Sequence, residues 1–318
     1  MSRPAPLSRY QIWVHWLVYP GHSLPTAAAP VLVAMGLAVH DHVFAPGPAL
    51  AAFLASWFIH IAGLFTDNHE LLVKYPHVDE HPELTAALED GTLSLARLRW
   101  AIATCLGLAA LTGPYLLHVA GTPVVAIGLV GIAGSLGYAA GPFPSAKHGL
   151  ADVHFFAMFG VIAPAAAYYV QLASIHGGEN GWNLLLHGLP AHAFLVGLPL
   201  GAFAVKILII DDVRDRAFDA AKGWRTTPVR LGIGFSRAEY VLLSAFIYLM
   251  PFWFWLGLGF SAWVLLPLAT LPFDGALARM MFARERHDDL VPLTPMAAML
   301  CLAYAALLAA GLAVSQGG

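Results

Sequence analysis

Residues 210–232 read IDDVRDRAFDAAKGWRTTPVRLG, with Asp211, Asp212, Asp215 and Asp219 set among Arg214, Arg216, Lys222, Arg225 and Arg230. Asp211, Asp215 and Asp219 recur at every fourth position. On a helix that spacing keeps three carboxylates on one face, drifting ~40° and rising ~6 Å per step. Carboxylates stacked in this way repel one another unless a cation lies between them. Hard oxygen donors beside guanidinium and ammonium groups suit Mg²⁺ holding a phosphorylated substrate. Mg²⁺ takes one or two carboxylates and fills its shell with phosphate and water. The plainer alternative is a solvated helix end whose charges pair locally.

The elements that must position these groups are membrane helices. Of the 318 residues, 59 % are hydrophobic and 11 % charged, with mean hydropathy +0.70. An ordinary soluble domain carries about 25 % charged residues. The expected fold is therefore an all-α polytopic membrane protein, a single domain over residues 1–318 that faces the lipid bilayer. A net charge of −3 is uninformative about nucleic acid, and no nucleic-acid partner is expected. Cys105 and Cys301 each lie in an apolar run, which predicts neither a disulfide framework nor a zinc site. Polar and aromatic residues interrupt the N-terminal stretch, so no cleavable signal is expected and the first span stays in the mature protein.

Nine apolar segments have the length to cross ~30 Å of hydrocarbon. They centre on residues 24–43, 50–65, 98–118, 123–140, 150–175, 189–210, 241–258, 262–282 and 296–314. Residues 7–20 read as an amphipathic helix lying in the headgroup region. The basic residues test the count independently. With the N-terminus inside, the cytoplasmic segments hold 15 of the 16 lysines and arginines, and Lys206 alone lies within a span. Such asymmetry is the positive-inside pattern. It puts the N-terminus and two polar connections, 66–96 and 211–237, on the cytoplasmic side. The connection at 66–96 is also acidic, and Asp67 and Glu70 share one face of a helical turn. Asp67 precedes Asp211 by 144 residues (211 minus 67), or four spans, which predicts two related four-helix halves plus a ninth helix. Two facing carboxylate clusters form a two-ion clamp suited to a diphosphate.

In these features the chain resembles the UbiA superfamily of intramembrane prenyltransferases, most closely the branch that prenylates dihydroxynaphthoate in menaquinone synthesis. The resemblance rests on Asp211, Arg214-Asp215, Asp219, Gly223, Arg225-Thr226 and Leu231-Gly232 in that order. It continues in Tyr138, Gly141-Pro142-Phe143-Pro144, Lys147-His148-Gly149-Leu150, Phe159-Gly160, Tyr168-Tyr169-Val170-Gln171, Leu24-Pro25 and Pro30-Val31-Leu32-Val33. Coverage runs from the first span through the loop after the sixth, and the family's nine-helix architecture agrees with the count. One motif departs. Where the family has roughly Asn-Asp-x-x-Asp-x-x-x-Asp, this chain has Thr66, Asp67, Glu70 and Lys74, with Asp79 and Glu80 farther along.

The resemblance implies Mg²⁺-dependent transfer of a polyprenyl group from an allylic diphosphate to a hydroxylated aromatic acceptor. Asp67, Glu70, Asp211 and Asp215 would hold the metal, Asp219 would complete the catalytic acids, and Lys147, Arg214, Lys222 and Arg225 would bind the diphosphate. Tyr138, Phe143, Phe155, Phe156 and Tyr169 are candidates to line the prenyl groove, where their π faces favour a cation. The implied location is a bacterial inner membrane. Three other readings compete. A membrane terpene cyclase would ionise the same diphosphate and close the cation on its own chain. A di-iron oxygenase would use histidines such as His77 and His81, yet His40 and His42 fall on the opposite membrane face. A transporter would also show intramembrane charge, but here the acids sit at helix ends rather than mid-membrane.

Overall fold

The computed structural model describes residues 23–75, 82–284 and 286–315. Among them the chain is helical and contains no strand. In order come α1 (Ser23–His40), α2 (Pro46–Lys74), the short α3 (Pro82–Glu89), α4 (Leu95–Ala120) and α5 (Pro123–Gly137). There follow α6 (Ala151–Ile175), α7 (Ala191–Ala221), the short α8 (Thr227–Leu231), α9 (Ile233–Leu258), α10 (Ala262–Ala283) and α11 (His287–Val314). Among the described residues, seven helices (α2, α4, α6, α7, α9, α10 and α11) are long and apolar enough to cross a membrane, and α1 and α5 are shorter apolar helices. The protein is thus a multi-pass membrane protein. These seven long helices and two shorter ones overlap the nine expected apolar segments, and by length only the seven qualify as spans. The expected interfacial helix at 7–20, together with His77, Asp79, Glu80 and His81, lies outside the described residues.

Several starts are written locally. Proline opens α2 and α5, where its missing N–H has no helical partner to lose. Ser94 caps α4, its side chain accepting from the Arg97 N–H at 3.2 Å. Within α6 the turn at Met158–Ile162 widens to π geometry just ahead of Pro164, which cannot donate to the preceding turn. Two helices outrun their apolar segments. The expected span at 50–65 ends at the first charge, but α2 continues to Lys74, and α7 likewise runs 31 residues to Ala221. Backbone hydrogen bonding is indifferent to the loss of apolar side chains. Asp67, Glu70 and the aspartates at 211–219 therefore stand on helices rather than in loops.

In lipid, helices gain little from burying apolar surface against one another, so they associate where small residues let backbones approach. Gly160 of α6 crosses Gly201 of α7 so closely that a Cβ on Gly160 would lie 2.9 Å from the Gly201 Cα. This crossing locks α7, the most deeply buried span, against α6. Helix α7 also packs on α9 and α11, and α11 lies along α1, with Gly36 against the backbone of Ala309. Helix α11 consequently closes the bundle against α1. One core joins α1, α7, α9 and α11 through Leu37, Phe203, Ile247 and Tyr304, and a second joins α2, α3 and α4 through Phe65, Ala87 and Leu98. Lys206, 1 % exposed inside α7, pairs with Asp274 of α10, donates to the Ser244 Oγ at 2.7 Å and lies 4.2 Å over the Tyr240 ring. A charge at that depth persists only because it is fully partnered.

Candidate active site

The ends of α2 and α7 meet at one end of the bundle. On α2, Thr66 and Asn68 turn their side chains back onto the helix, donating to the carbonyls of Ala62 (2.7 Å) and Leu64 (2.9 Å). Asp67, between them, borders a cavity of about 220 Å³ enclosed by α2, α5 and α6. One turn on, Glu70 lies 3.5 Å from both the Lys74 Nζ and the His69 Nδ1. The face of α7 is more heavily bonded. Arg214 donates to Asp211 through Nη1 at 2.5 Å and grips Asp215 with Nε at 2.8 Å and Nη2 at 2.6 Å. Asp211 also accepts from the Thr294 hydroxyl of α11 at 2.6 Å, and His287 approaches Asp215 at 3.3 Å. Asp219 is 3 % exposed and accepts from Thr226 at 3.0 Å.

Tyr138, at the end of α5, lines the same cavity as Asp67. Its ring packs on Phe155 at 5.0 Å, and both side chains line the cavity, whose remaining wall is mostly apolar. Basic residues complete the rim. The Lys147 Nζ lies 5.3 Å over Trp224, and Lys222 lies 4.1 Å over Tyr75. Tyr75, Phe218 and Trp224 form a continuous edge-to-face series with centroids 5.8 Å apart at each step. The connection bearing Lys147 is tied to the loop after α7 by the Arg225 N–H, which donates to the Lys147 carbonyl at 3.2 Å. Gly149 makes this approach feasible. Its φ is +71°, and a Cβ there would sit 2.6 Å from the Arg225 carbonyl.

The model of the UbiA prenyltransferase family matches residues 27–294, most of the chain. The chain belongs to the UbiA prenyltransferase family. It is a prenyltransferase by that membership and by its relatives. It is similar to the 1,4-dihydroxy-2-naphthoate octaprenyltransferase of Haemophilus influenzae, 21 % identical over 96 % of this chain and 97 % of the relative. The enzyme of the same name from Mycobacterium tuberculosis is 24 % identical, over 92 % and 94 %. Among solved structures, an apo UbiA homolog from Aeropyrum pernix K1 superposes with TM-score 0.66 at 18 % identity, covering 91 % of this chain and 97 % of that one. A UbiA homolog from Archaeoglobus fulgidus bound to GPP and Mg²⁺ gives 0.57 at 18 % identity, covering 94 % and 98 %.

Within this UbiA fold, the expected residues divide. Asp67, Glu70, Asp211, Asp215, Asp219, Lys147, Arg214 and Lys222 gather at the junction of α2, α7 and the connection after α5. Arg225 reaches it through its backbone N–H, and its side chain is exposed. Of the aromatics expected in the groove, Tyr138 and Phe155 line the cavity, but three do not. Phe143 is 63 % exposed and stacks on His148, Phe156 packs on Phe246 in the main core, and Tyr169 is fully buried with its hydroxyl on the Ala120 carbonyl at 2.7 Å. Their neighbours come from other helices, which local sequence does not reveal. Reading the chain also passed over Thr294 and His287, because Thr294 lies 83 residues from Asp211 and its local sequence carries no motif. Asp212, 8 % exposed, was visible as a fourth aspartate but falls outside the four-residue spacing.

Among the described residues, no three His, Cys, Asp or Glu side chains converge closely enough to hold a metal ion unaided. The donor set nevertheless fits Mg²⁺, which needs only one or two carboxylates when phosphate and water supply the rest of its shell. Asp67 and Glu70 offer such oxygens on one side, and Asp211 and Asp215 on the other.

Proposed function

We propose that this protein transfers a polyprenyl group from an allylic diphosphate to a hydroxylated aromatic acceptor of the dihydroxynaphthoate type, within menaquinone biosynthesis. The observation carrying this reading is the meeting of the two acidic helix ends, where Tyr75 after α2 packs on Phe218 of α7 at 5.8 Å, with Asp67 at the polar end of an otherwise apolar cavity. In the reaction, the allylic C–O bond breaks and its electron pair leaves with diphosphate. An aromatic carbon of the acceptor then attacks the cation, and the group on that carbon leaves without its bonding electrons, as a proton from an unsubstituted carbon or as CO2 where the carbon bears the naphthoate carboxylate. The chain's residues divide that work. Asp67 and Glu70, with Asp211 and Asp215, would hold Mg²⁺, whose charge neutralises the departing phosphate oxygens. Arg214, Lys147 and Lys222 would supply fixed positive charge to the diphosphate, Arg225 anchors the connection bearing Lys147 through its backbone N–H, and Asp219 holds the loop after α7 in place through Thr226. Tyr138 and Phe155 present ring faces to the allylic carbon where water is excluded. The similarity to curated naphthoate octaprenyltransferases supports the acceptor class, and the GPP and Mg²⁺ held by the Archaeoglobus homolog support the donor and metal.

The distribution of basic residues supports a cytoplasmic position for this end of the bundle, and the bacterial relatives support the inner membrane. The test is purified protein with Mg²⁺ and a panel of prenyl diphosphates, each with and without dihydroxynaphthoate, hydroxybenzoate or homogentisate, read by mass spectrometry. A prenylated dihydroxynaphthalene product, with release of CO2, that vanishes with EDTA is expected. Cyclic hydrocarbon formed equally without acceptor would favour a cyclase, and no consumption of any diphosphate would refute both.

A further inference from the structure

Helix α6 ends at Ile175 and α7 begins at Ala191, at the end of the bundle opposite Asp67. The chain between them is docked rather than loose. Gly178 meets Gly121 backbone to backbone, and a Cβ on Gly178 would lie 2.8 Å from the Gly121 nitrogen. Its φ of +76° is a conformation that favours glycine. Gly181 is buried beside Tyr169, whose hydroxyl donates to the Ala120 carbonyl at 2.7 Å and lies 3.4 Å from the Gly181 carbonyl. From this fixed start, Gly181–Asn183 forms a helical turn that widens to π geometry over Leu184–Gly188. Leu184 and Leu185 turn inward and pack on the core around Val124 and Tyr169. Their burial fixes where the other side chains point. Trp182 and Leu186, four residues apart, share one flank and are 48 % and 67 % exposed. Asn183 and His187, also four apart, share the other flank and are exposed too.

The apolar flank continues the lipid-facing surface of the spans. Trp182 walls an open cavity together with Leu117, an exposed residue of α4, and Ile175 is exposed at the end of α6. Tryptophan suits the boundary between hydrocarbon and water, because its ring is apolar and its indole N–H needs a polar partner. Residues 176–190 contain Glu179 and neither lysine nor arginine, so attraction to a surface here is apolar rather than to anionic headgroups. We propose that residues 181–188 form a fixed anchor lying flat on the bilayer surface, with Trp182 and Leu186 among the headgroups and upper acyl carbons and Asn183 and His187 in water. The partner is the lipid surface itself. Because the segment is docked on the turn between α4 and α5, it sets the level at which this end of the bundle sits in the membrane.

The test uses the full chain, whose two native cysteines, Cys105 and Cys301, are buried. Trp182→Cys, Asn183→Cys, Leu186→Cys and His187→Cys are each labelled with an environment-sensitive fluorophore and placed in phosphatidylcholine nanodiscs that hold a single copy. Labels at 182 and 186 should emit at shorter wavelength and be quenched by lipid carrying a nitroxide on a shallow acyl carbon. Labels at 183 and 187 should emit as in water and be quenched by aqueous iodide. Equal iodide quenching at all four positions overturns the proposal. Shielding of 182 and 186 that is absent from nanodiscs and arises only in vesicles crowded with protein overturns it as well, and marks a contact between copies. A conservative variant checks the result without a label. Trp182→Phe should remove part of the tryptophan fluorescence that shallow brominated lipid quenches in the wild type, and an unchanged quenchable fraction refutes the placement of Trp182 in lipid.

Discussion

The acidic ends of α2 and α7 carry similar residues in different settings. At the end of α7, Arg214 joins Asp211 and Asp215, Thr294 and His287 reach in from α11, and Thr226 ties Asp219 to the following loop. At the end of α2, Glu70 pairs with Lys74 of its own helix, and Asp67 faces the cavity. Preorganised electrostatics are worth most where groups are held before the substrate arrives. On the proposed function, the α7 end would be the rigid half of the site and the α2 end the half that completes its contacts when a ligand binds. The contrast also accounts for where the chain departs from the familiar pattern. A base at position 74 disturbs only an exposed pair, whereas any change at 211, 215 or 219 would strand a partner from another element.

This difference can be broken by substitution. The largest effect is expected for Asp215→Ala, which should lower turnover by about 10²–10³-fold, the usual result of removing a preorganised charged group. Because it also strips Arg214 of its bidentate partner, it should destabilise the fold by about 3 kcal/mol, measured as thermal unfolding in detergent. Glu70→Ala comes next. About a tenfold loss of turnover is expected with stability changed by less than about 1 kcal/mol, since an exposed pair contributes little. If Glu70→Ala proves more damaging to both quantities than Asp215→Ala, the assignment of rigid and adaptable halves is inverted.

Smaller changes sharpen the same comparison. Thr226→Val removes the hydroxyl that Asp219 accepts and should lower stability by about 1 kcal/mol while raising KM for the prenyl diphosphate a few-fold. A KM that does not move would detach Asp219 and its loop from substrate binding. The smallest effect on turnover is expected at the opposite end of the bundle. Asp41, in the turn after α1, accepts from Tyr168 at 2.5 Å and pairs with the His192 Nε2 at 3.1 Å. Burial pushes its carboxyl up, but the hydrogen bonds from His192 and Tyr168 outweigh burial and hold it below the usual carboxylate range. Its stabilisation is complete above the unfolded value of about 3.9 and is lost as pH falls through the lower folded value. Asp41→Asn should leave turnover unchanged and reduce the unfolding temperature at neutral pH, and the gap to wild type should close in acid. A gap that widens in acid would contradict this sign.

Much of this protein was legible along the chain. Apolar length marked the seven long helices and the two shorter ones, and the four-residue recurrence at 211, 215 and 219 marked one face of a helix. These signals are local or additive, so they survive without knowing which helices touch. Hydropathy misplaced the ends of α2 and α7, because helical hydrogen bonds continue where apolar side chains stop. What only tertiary structure decided was partnership. Gly160 and Gly201 set the crossing that carries α7 to the centre, and Thr294 and His287 arrive from the last helix. Each is a contact between residues far apart in sequence, and its energy depends on backbone approach and on which side chains share a buried volume. No spacing within a single stretch of chain records that.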